Sequence, residues 1–225
     1  EPNSKLTYES VGSSHGITGV RDGVYAIGGS SKRISDAEAA AGLVQTEIAI
    51  DGIAVIVHNN IPLENIASKD LAKVFSGQIT NWKALGGPDR QIFVLNRDEA
   101  SGTVEAFTKL VVQKELGNAA RVTTDATVVT SNGDMVLKTN STPNSIGYCA
   151  AGYLNKVSNA KKVLVNGIEP TVENIKSFKY PISRYLYVIT KGQLQAGTLA
   201  DSFLKWLLSK AGQKIVEKAD YIKLN

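Results

Sequence analysis

The stretch Gln91-Ile92-Phe93-Val94-Leu95-Asn96-Arg97-Asp98-Glu99-Ala100-Ser101-Gly102-Thr103-Val104-Glu105-Ala106-Phe107 changes its apolar period part-way along. Gln91 to Asn96 is rich in apolar and β-branched residues and reads as a strand. From Ser101 onward the apolar positions Val104, Phe107, Leu110 and Val111 recur at helical spacing, with Ser101 placed to cap the helix and Gly117 to end it. A strand that gives way to a helix across a short polar loop is the repeating unit of an α/β fold. The same reading extends outward in both directions. Further strands are expected at Lys5 to Val11, Val24 to Gly29, Thr46 to His58, Ser145 to Cys149, Lys162 to Val165 and Arg184 to Thr190. Ser35-Asp36-Ala37-Glu38 is a capping box, Leu71, Val74 and Phe75 share a helical face that ends at Gly77, and Phe203, Trp206 and Leu207 form a C-terminal stripe continued by Ile215 and Val216. Strands alternating with helices predict an α/β fold with a largely parallel sheet.

The chain has 225 residues, which allows one large domain or two interwoven lobes. Hydrophobic residues at 43% and charged residues at 20% are ordinary globular usage and exclude collagen, coiled coil and wholesale disorder. The longest apolar run, Ile53 to Val57, is too short to span a bilayer, and Glu1 opens without a secretory signal, so any such signal was unneeded or removed. A single cysteine, Cys149, excludes an internal disulfide framework, and with only His15 and His58 beside it no structural metal is expected. The net charge of +4 comes from basic residues scattered over the chain, a solvated surface that does not point to nucleic acid.

Catalytic residue types do not form a set. Gly12-Ser13-Ser14-His15-Gly16 fits the pattern of a nucleophile elbow, but the hydrolase order needs a late histidine and the only later one, His58, ends an early strand. A glycine-serine turn with a solvent-facing His15, a satisfied strand-end His58 and a Cys149 that packs as a small hydrophobe account for these residues without chemistry. A different feature recurs, namely glycines and small hydroxyls where strands give way to helices: Gly12 to Gly16, Gly28-Gly29-Ser30-Ser31, and Ser101-Gly102-Thr103. Free N–H groups and a partial positive charge at a helix start, hydroxyl donors, and glycines that let an anion reach the backbone make oxyanion cradles. Arg97 adds a two-pronged cationic donor beside the third.

Asp51-Gly52-Ile53-Ala54-Val55-Ile56-Val57, Val74-Phe75-Ser76-Gly77-Gln78-Ile79-Thr80-Asn81-Trp82, Arg97 to Thr103 and Tyr180-Pro181-Ile182-Ser183-Arg184, in this order and spacing, resemble the phosphate-binding proteins of bacterial and archaeal ABC transporters. The resemblance runs over nearly the whole chain, to Gly212-Gln213-Lys214-Ile215-Val216. It implies a two-lobed type II periplasmic-binding-protein fold, each lobe a mixed sheet flanked by helices, with the ligand in an interlobe cleft. Residues 1–56 with 187–225 would form one lobe and 57–186 the other, hinged near Ile53 to Val57 and Ser183 to Tyr187. It further implies an extracytoplasmic, non-enzymatic receptor, periplasmic or lipid-anchored, without cofactor. Such a receptor binds inorganic phosphate through Ser13, Ser31, Arg97, Ser101, Gly102 and Thr103, with Glu99 orienting Arg97, and passes it to a membrane permease.

Two departures accompany the resemblance. Family members mostly begin with a strand, a Gly-Ser-Thr-like loop and a helix ahead of the segment that here starts at Glu1. Without them an unpaired edge and an uncovered apolar strip are expected in the lobe holding Lys5 to Val11, to be filled by self-pairing, a partner or rearrangement. Ser31 stands where some members carry an aspartate, so discrimination among oxyanions is open. Alternative functions are a sensing or assembly module that takes its first element from a partner, a receptor for sulfate, molybdate or tungstate, and a hydrolase built on Ser14.

Overall fold

A computed structural model describes residues 7–224. Eight strands run in the order β1 (Gly28–Ser30), β2 (Leu43–His58), β3 (Asn65–Ile66), β4 (Phe93–Arg97), β5 (Thr127–Val129), β6 (Ser145–Ala150), β7 (Ala160–Val165) and β8 (Ser183–Lys191). The helices are α1 (Ser13–Arg21), α2 (Asp36–Ala40), α3 (Ser68–Phe75), α4 (Gly102–Phe107), α5 (Lys114–Leu116), α6 (Asn132–Ser141), α7 (Val172–Lys176), α8 (Leu199–Leu208) and α9 (Lys210–Lys218). A π-helical stretch, Thr108–Gln113, joins α4 to α5. The described chain divides into two compact units. The first comprises Glu1–Ala49, Ala100–Gly102 and Tyr185–Asn225, the second Ile50–Glu99 and Thr103–Arg184. Both β2 and β8 pass from one unit to the other, and the three residues Ala100–Gly102 belong to the first although their chain neighbours belong to the second.

In the second unit β2 is the central strand. It pairs antiparallel with β6, Val55 opposite Tyr148, and with β7, Val55 opposite Val163, while β4 runs parallel to both β5 and β6. The sheet is therefore mixed, as the family resemblance implies, and the largely parallel sheet expected from strand–helix alternation is corrected. Alternation of elements specifies crossover helices but not the direction in which each strand enters the sheet. Ile53 to Val57 are fully excluded from solvent, which explains why this run is continuously apolar rather than alternating. Ile56, Leu95, Val129, Met135, Val136 and Cys149 pack as one cluster. Beside them Phe107 stacks flat on Tyr148 at 4.0 Å while Phe75 meets Phe107 edge-on at 4.6 Å.

The run Phe75 to Trp82 closes α3. Gly77 adopts φ +79°, and the N–H groups of Gln78 and Ile79 both donate to the Lys73 carbonyl. Trp82 then enters the core completely, its indole N–H donating to the Asn144 carbonyl at 3.0 Å. The motif is a helix stop and a core anchor.

The first unit has a smaller core of Ile17, Val20, Leu43, Tyr187 and Ile189, flanked by Tyr25, Ile34 and Tyr185. Here α1 lies close against β1: a Cβ on Gly16 would stand 2.8 Å from the Gly29 carbonyl oxygen and one on Gly28 2.5 Å from that of Gly16. Only glycines permit this approach. The capping box at Ser35 forms as expected, with Ser35 Oγ accepting from the Glu38 N–H and Glu38 Oε2 from the Ser35 N–H. Gln213, buried in α9, donates to the Ile48 and Leu207 carbonyls and accepts from the Leu224 N–H, tying the C-terminal helices to the start of β2. No residue of α8 is buried, and Leu199, Trp206 and Ile215 are exposed.

Other expectations are corrected. Thr7 to Val11 form no strand; Tyr8 is 85% exposed, and alternation without a partner strand does not hold an extended chain in a sheet. Lys5 and Leu6 lie outside the described residues. The strand expected from Val24 begins only at Gly28, because the N–H groups of Val24 and Tyr25 are drawn back to the Gly19 carbonyl at the end of α1. His15 lies in the first turn of α1 and is exposed, while His58 is satisfied by Asn60 and Asn159 on its two ring nitrogens.

Burial, with the charge of Asp51 adding to it, pushes the Cys149 thiol up to about 12. Native protein at about pH 8 is expected to resist iodoacetamide and to label stoichiometrically only after unfolding. Rapid labelling of the native state would show that β6 is not the closed core strand described above.

Candidate functional site

In the first unit two helix starts and one strand end meet. Gly12, the residue before α1, has φ +80°, and a Cβ there would also stand 2.8 Å from the Ala100 carbonyl oxygen, so glycine is required twice over. It delivers Ser13, buried, as the first residue of α1. At the end of β1, Ser30 Oγ donates to the Lys32 carbonyl and accepts from the Lys32 N–H, a tight turn that presents Ser31. The Ser31 N–H donates to Ser13 Oγ at 2.9 Å, and the two hydroxyls lie 3.2 Å apart. Gly102 opens α4 against this pair: a Cβ on it would overlap both serine oxygens. Ser101 is buried beside it. Ser13, Ser31, Ser101 and Gly102, taken from three separate places in the sequence, are thus brought together, with the N-termini of α1 and α4 adding N–H groups and partial positive charge.

The second unit supplies the remaining expected residues. Arg97 closes β4 and is only 9% exposed. Its backbone N–H donates to the Tyr148 hydroxyl, which itself donates to Asn96 Oδ1 at 2.6 Å. Its guanidinium donates to the Thr130 carbonyl at 2.9 Å and to Asn132 Oδ1 at 3.4 Å. Nε is buried with no partner, the one such side-chain atom among the described residues. The Thr130 turn is itself held, since the Thr130 hydroxyl donates to Asp134 and keeps that carboxyl below its usual range. The carboxylate nearest Arg97 is Asp98, at 3.7 Å, and Glu99 sits exposed in the turn that follows. The hydrogen bonds that hold the guanidinium are those to Thr130 and Asn132.

Thr103, buried in the first turn of α4, accepts from Arg184 Nη2 at 3.0 Å. Arg184 in turn donates through Nε and Nη2 to Asp51 Oδ2, at 3.1 and 2.8 Å. Burial pushes the Asp51 carboxyl upward, countered by the guanidinium and by the N–H groups of Gly52 and Ala151. Sequence reasoning passed over Asp51, Asn132 and Arg184 as site residues. A charged residue two positions ahead of a fully buried apolar run was the available signal for Asp51 and its need of a cationic partner.

Among the described residues no group of three or more His, Cys, Asp or Glu side chains is arranged to hold a metal ion. Each unit by itself carries groups of the kind that hold an oxyanion: hydrogen-bond donors in the first, and in the second one incompletely matched buried cation.

Comparison with known proteins agrees with this chemistry. Residues 1–211 match the model of the PBP superfamily domain. The phosphate-binding protein PstS of Borreliella burgdorferi is 37% identical over 98% of this chain and 80% of its own length, and that of Bacillus subtilis is 33% identical over 98% and 72%. The chain belongs to the PstS phosphate-binding protein family. Among solved structures, a putative phosphate ABC transporter substrate-binding protein with bound phosphate from Clostridium perfringens superposes with a TM-score of 0.87 at 33% identity, covering 100% of this chain and 90% of that one. An ABC-type phosphate transport receptor from Vibrio cholerae gives 0.84 at 30% identity, over 98% and 89%. Membership places this chain among substrate-binding transport components with the two-lobed type II fold, not among enzymes.

Replacing Gly102 with alanine puts a methyl group onto the Ser13 and Ser31 hydroxyls. Phosphate affinity is expected to fall by about tenfold or more with a smaller loss of thermal stability, because overpacking costs roughly 1–3 kcal/mol and here falls on the donors themselves. Calorimetry and a thermal melt of Gly102→Ala check both; unchanged affinity would remove Gly102 from the site.

Proposed function

We propose that this protein is an extracytoplasmic receptor that binds inorganic phosphate and delivers it to a membrane ABC permease. The observation that carries the reading is Arg97: a guanidinium 9% exposed, with Nε unpartnered and its nearest carboxylate at 3.7 Å. A buried cation this poorly compensated is costly by itself and is stabilised by an anion that takes the unused N–H. The donors at Ser13, Ser31, Ser101, Gly102 and Thr103 supply the rest of a phosphate site without adding a second uncompensated charge. In this reading the receptor lobes are residues 1–56 with 187–225 and residues 57–186, bounds a few residues from those of the two compact units. No helix among the described residues is long and apolar enough to cross a membrane. Association with the cell surface would come from confinement to the periplasm or from a lipid anchor. Pairing with a copy of this chain or with a partner would act at the edge of the lobe that holds Lys5 to Val11.

Titration with phosphate is the direct test, and a wild-type chain that binds none overturns the reading. Arg97→Ala is expected to weaken binding by about 2 kcal/mol or more, the loss of a charge-assisted contact in a buried setting. Sulfate is the informative competitor: with a hydroxyl rather than a carboxylate at Ser31 it is expected to bind detectably but more weakly. Turnover is not expected. Ester hydrolysis that survives repurification and vanishes in Ser14→Ala would contradict the binding role.

A further inference from the structure

Within the second unit the guanidinium of Arg97 is seated on the first turn of α6. Nη2 donates to the carbonyl of Thr130, just ahead of the helix, and Nη1 to Oδ1 of Asn132, its first residue. That same Oδ1 takes the Ala150 N–H at 3.2 Å, so two donors fix which end of the Asn132 amide faces them. The hydrogen-bond ladder of α6 begins further in. Ser131 Oγ accepts from the Asp134 N–H, and the Ser131 carbonyl accepts from the Met135 N–H. The N–H groups of Asn132 and Gly133 fall ahead of both bonds, as the first donors of a helix do. A cation thus stands at the positive end of the dipole of a helix of 10 residues, an arrangement that repels unless negative charge joins it.

The carboxylates nearby do not complete that charge. Arg97 is 9% exposed, and its Nε is buried with no hydrogen-bond partner. Asp98 stands 3.7 Å from Nη2 and does not reach Nε, while Asp134 accepts from the Thr130 hydroxyl at 2.6 Å and so holds the turn. We infer that the start of α6 is part of the oxyanion site, with the N–H groups of Asn132 and Gly133 donating to the same anion that Arg97 Nε holds. The inference rests on the phosphate reading above. Backbone N–H groups at a helix start suit an anion with several acceptor oxygens, because they add donors without adding a further full charge. Nothing crowds Gly133: a Cβ there would have as its nearest neighbours Ser131 Oγ at 3.6 Å and a ring carbon of Tyr153 at 4.0 Å. The contacts to Thr130 and Asn132 keep the guanidinium and the helix start together before any ligand arrives, which lowers the cost of ordering on binding.

Proline at position 132 tests the backbone donor directly. Asn132 is the first residue of the helix, the position that best accepts proline, and Ser131 before it is extended at φ −140° and ψ 167°, the conformation a following proline requires. Asn132→Ala removes the side chain and keeps the N–H, whereas Asn132→Pro removes both. The full chain carrying each change is titrated with inorganic phosphate beside the wild type, with a thermal melt to establish folding. The proline variant is expected to bind about tenfold more weakly than the alanine variant, the fold-change of one hydrogen bond to a charged acceptor. Equal affinity of the two folded variants would overturn the inference while leaving phosphate binding intact. A wild-type chain that binds no phosphate would instead overturn the functional reading and this inference with it. Amide NMR of the wild type serves if the proline variant does not fold. On saturation with phosphate the N–H protons of Asn132 and Gly133 are expected to move downfield, and resonances that stay in place would refute the assignment.

Discussion

Strand β2 is the element on which the rest of the molecule depends. Ile53 to Val57 have no solvent contact, β6 pairs the whole segment on one edge and β7 pairs Val55 to His58 on the other, so backbone and side chains alike are committed. A segment buried on both faces and paired on both edges leaves no room for a register slip, because a shift of one residue would exchange every packing partner. The charged residue just before it must therefore be matched inside the protein, and Arg184 on β8 matches it. Arg184 also reaches Thr103 at the start of α4, and Gly52, next to Asp51, leaves space that the Ile175 side chain fills. The most hydrophobic part of the chain thus sets the position of one of its most polar clusters.

The residues expected to meet the anion have, within each unit, hydrogen-bonding partners that orient them. Ser13 Oγ accepts from the Ser31 N–H, Thr103 Oγ1 accepts from Arg184, and the Arg97 guanidinium is aimed by Thr130 and Asn132. Each such bond fixes a rotor or aims a donor. Prepaid orientation of this kind lowers the cost of ordering at the moment of binding. It also separates holding an anion from transforming it. A nucleophile needs a base to take its proton, and the histidine that could have served, His58, has both ring nitrogens engaged by asparagines.

Two of the sequence runs that resemble the family do different work. Phe75 to Trp82 ends a helix and anchors a buried indole, while Arg97 to Thr103 carries the chain from β4 to α4 through the donors of the site. Both are short runs rich in turn-forming residues. What distinguishes them is that the first buries its polar atoms against backbone carbonyls, whereas the second leaves Arg97 Nε buried without a partner.

Much was legible in the sequence because it depends on local physics. The strand-to-helix change at Arg97 to Thr103, the capping box at Ser35, the continuous apolar run at Ile53 to Val57 and the helix stop at Gly77 each follow from neighbours a few residues apart. The cradle residues Ser13, Ser31, Ser101 and Gly102 were found by the same kind of signal, a glycine or hydroxyl at the junction of two elements. Local patterns failed where a partner distant in sequence decided the outcome. Thr7 to Val11 alternates like a strand but has no sheet to join, β5 is mostly exposed and is held by its pairing with β4, α6 packs on β6 and β4, and the mixed sheet reflects strand directions no alternation encodes. Thr130 and Asn132, 33 and 35 positions from Arg97, are what its guanidinium meets. The Asp51–Arg184–Thr103 chain joins residues separated by 133 and 81 positions. Composition and pattern determine which residues can be buried, capped or turned; only packing determines which buried charges and hydroxyls meet, because that depends on distances the sequence does not contain.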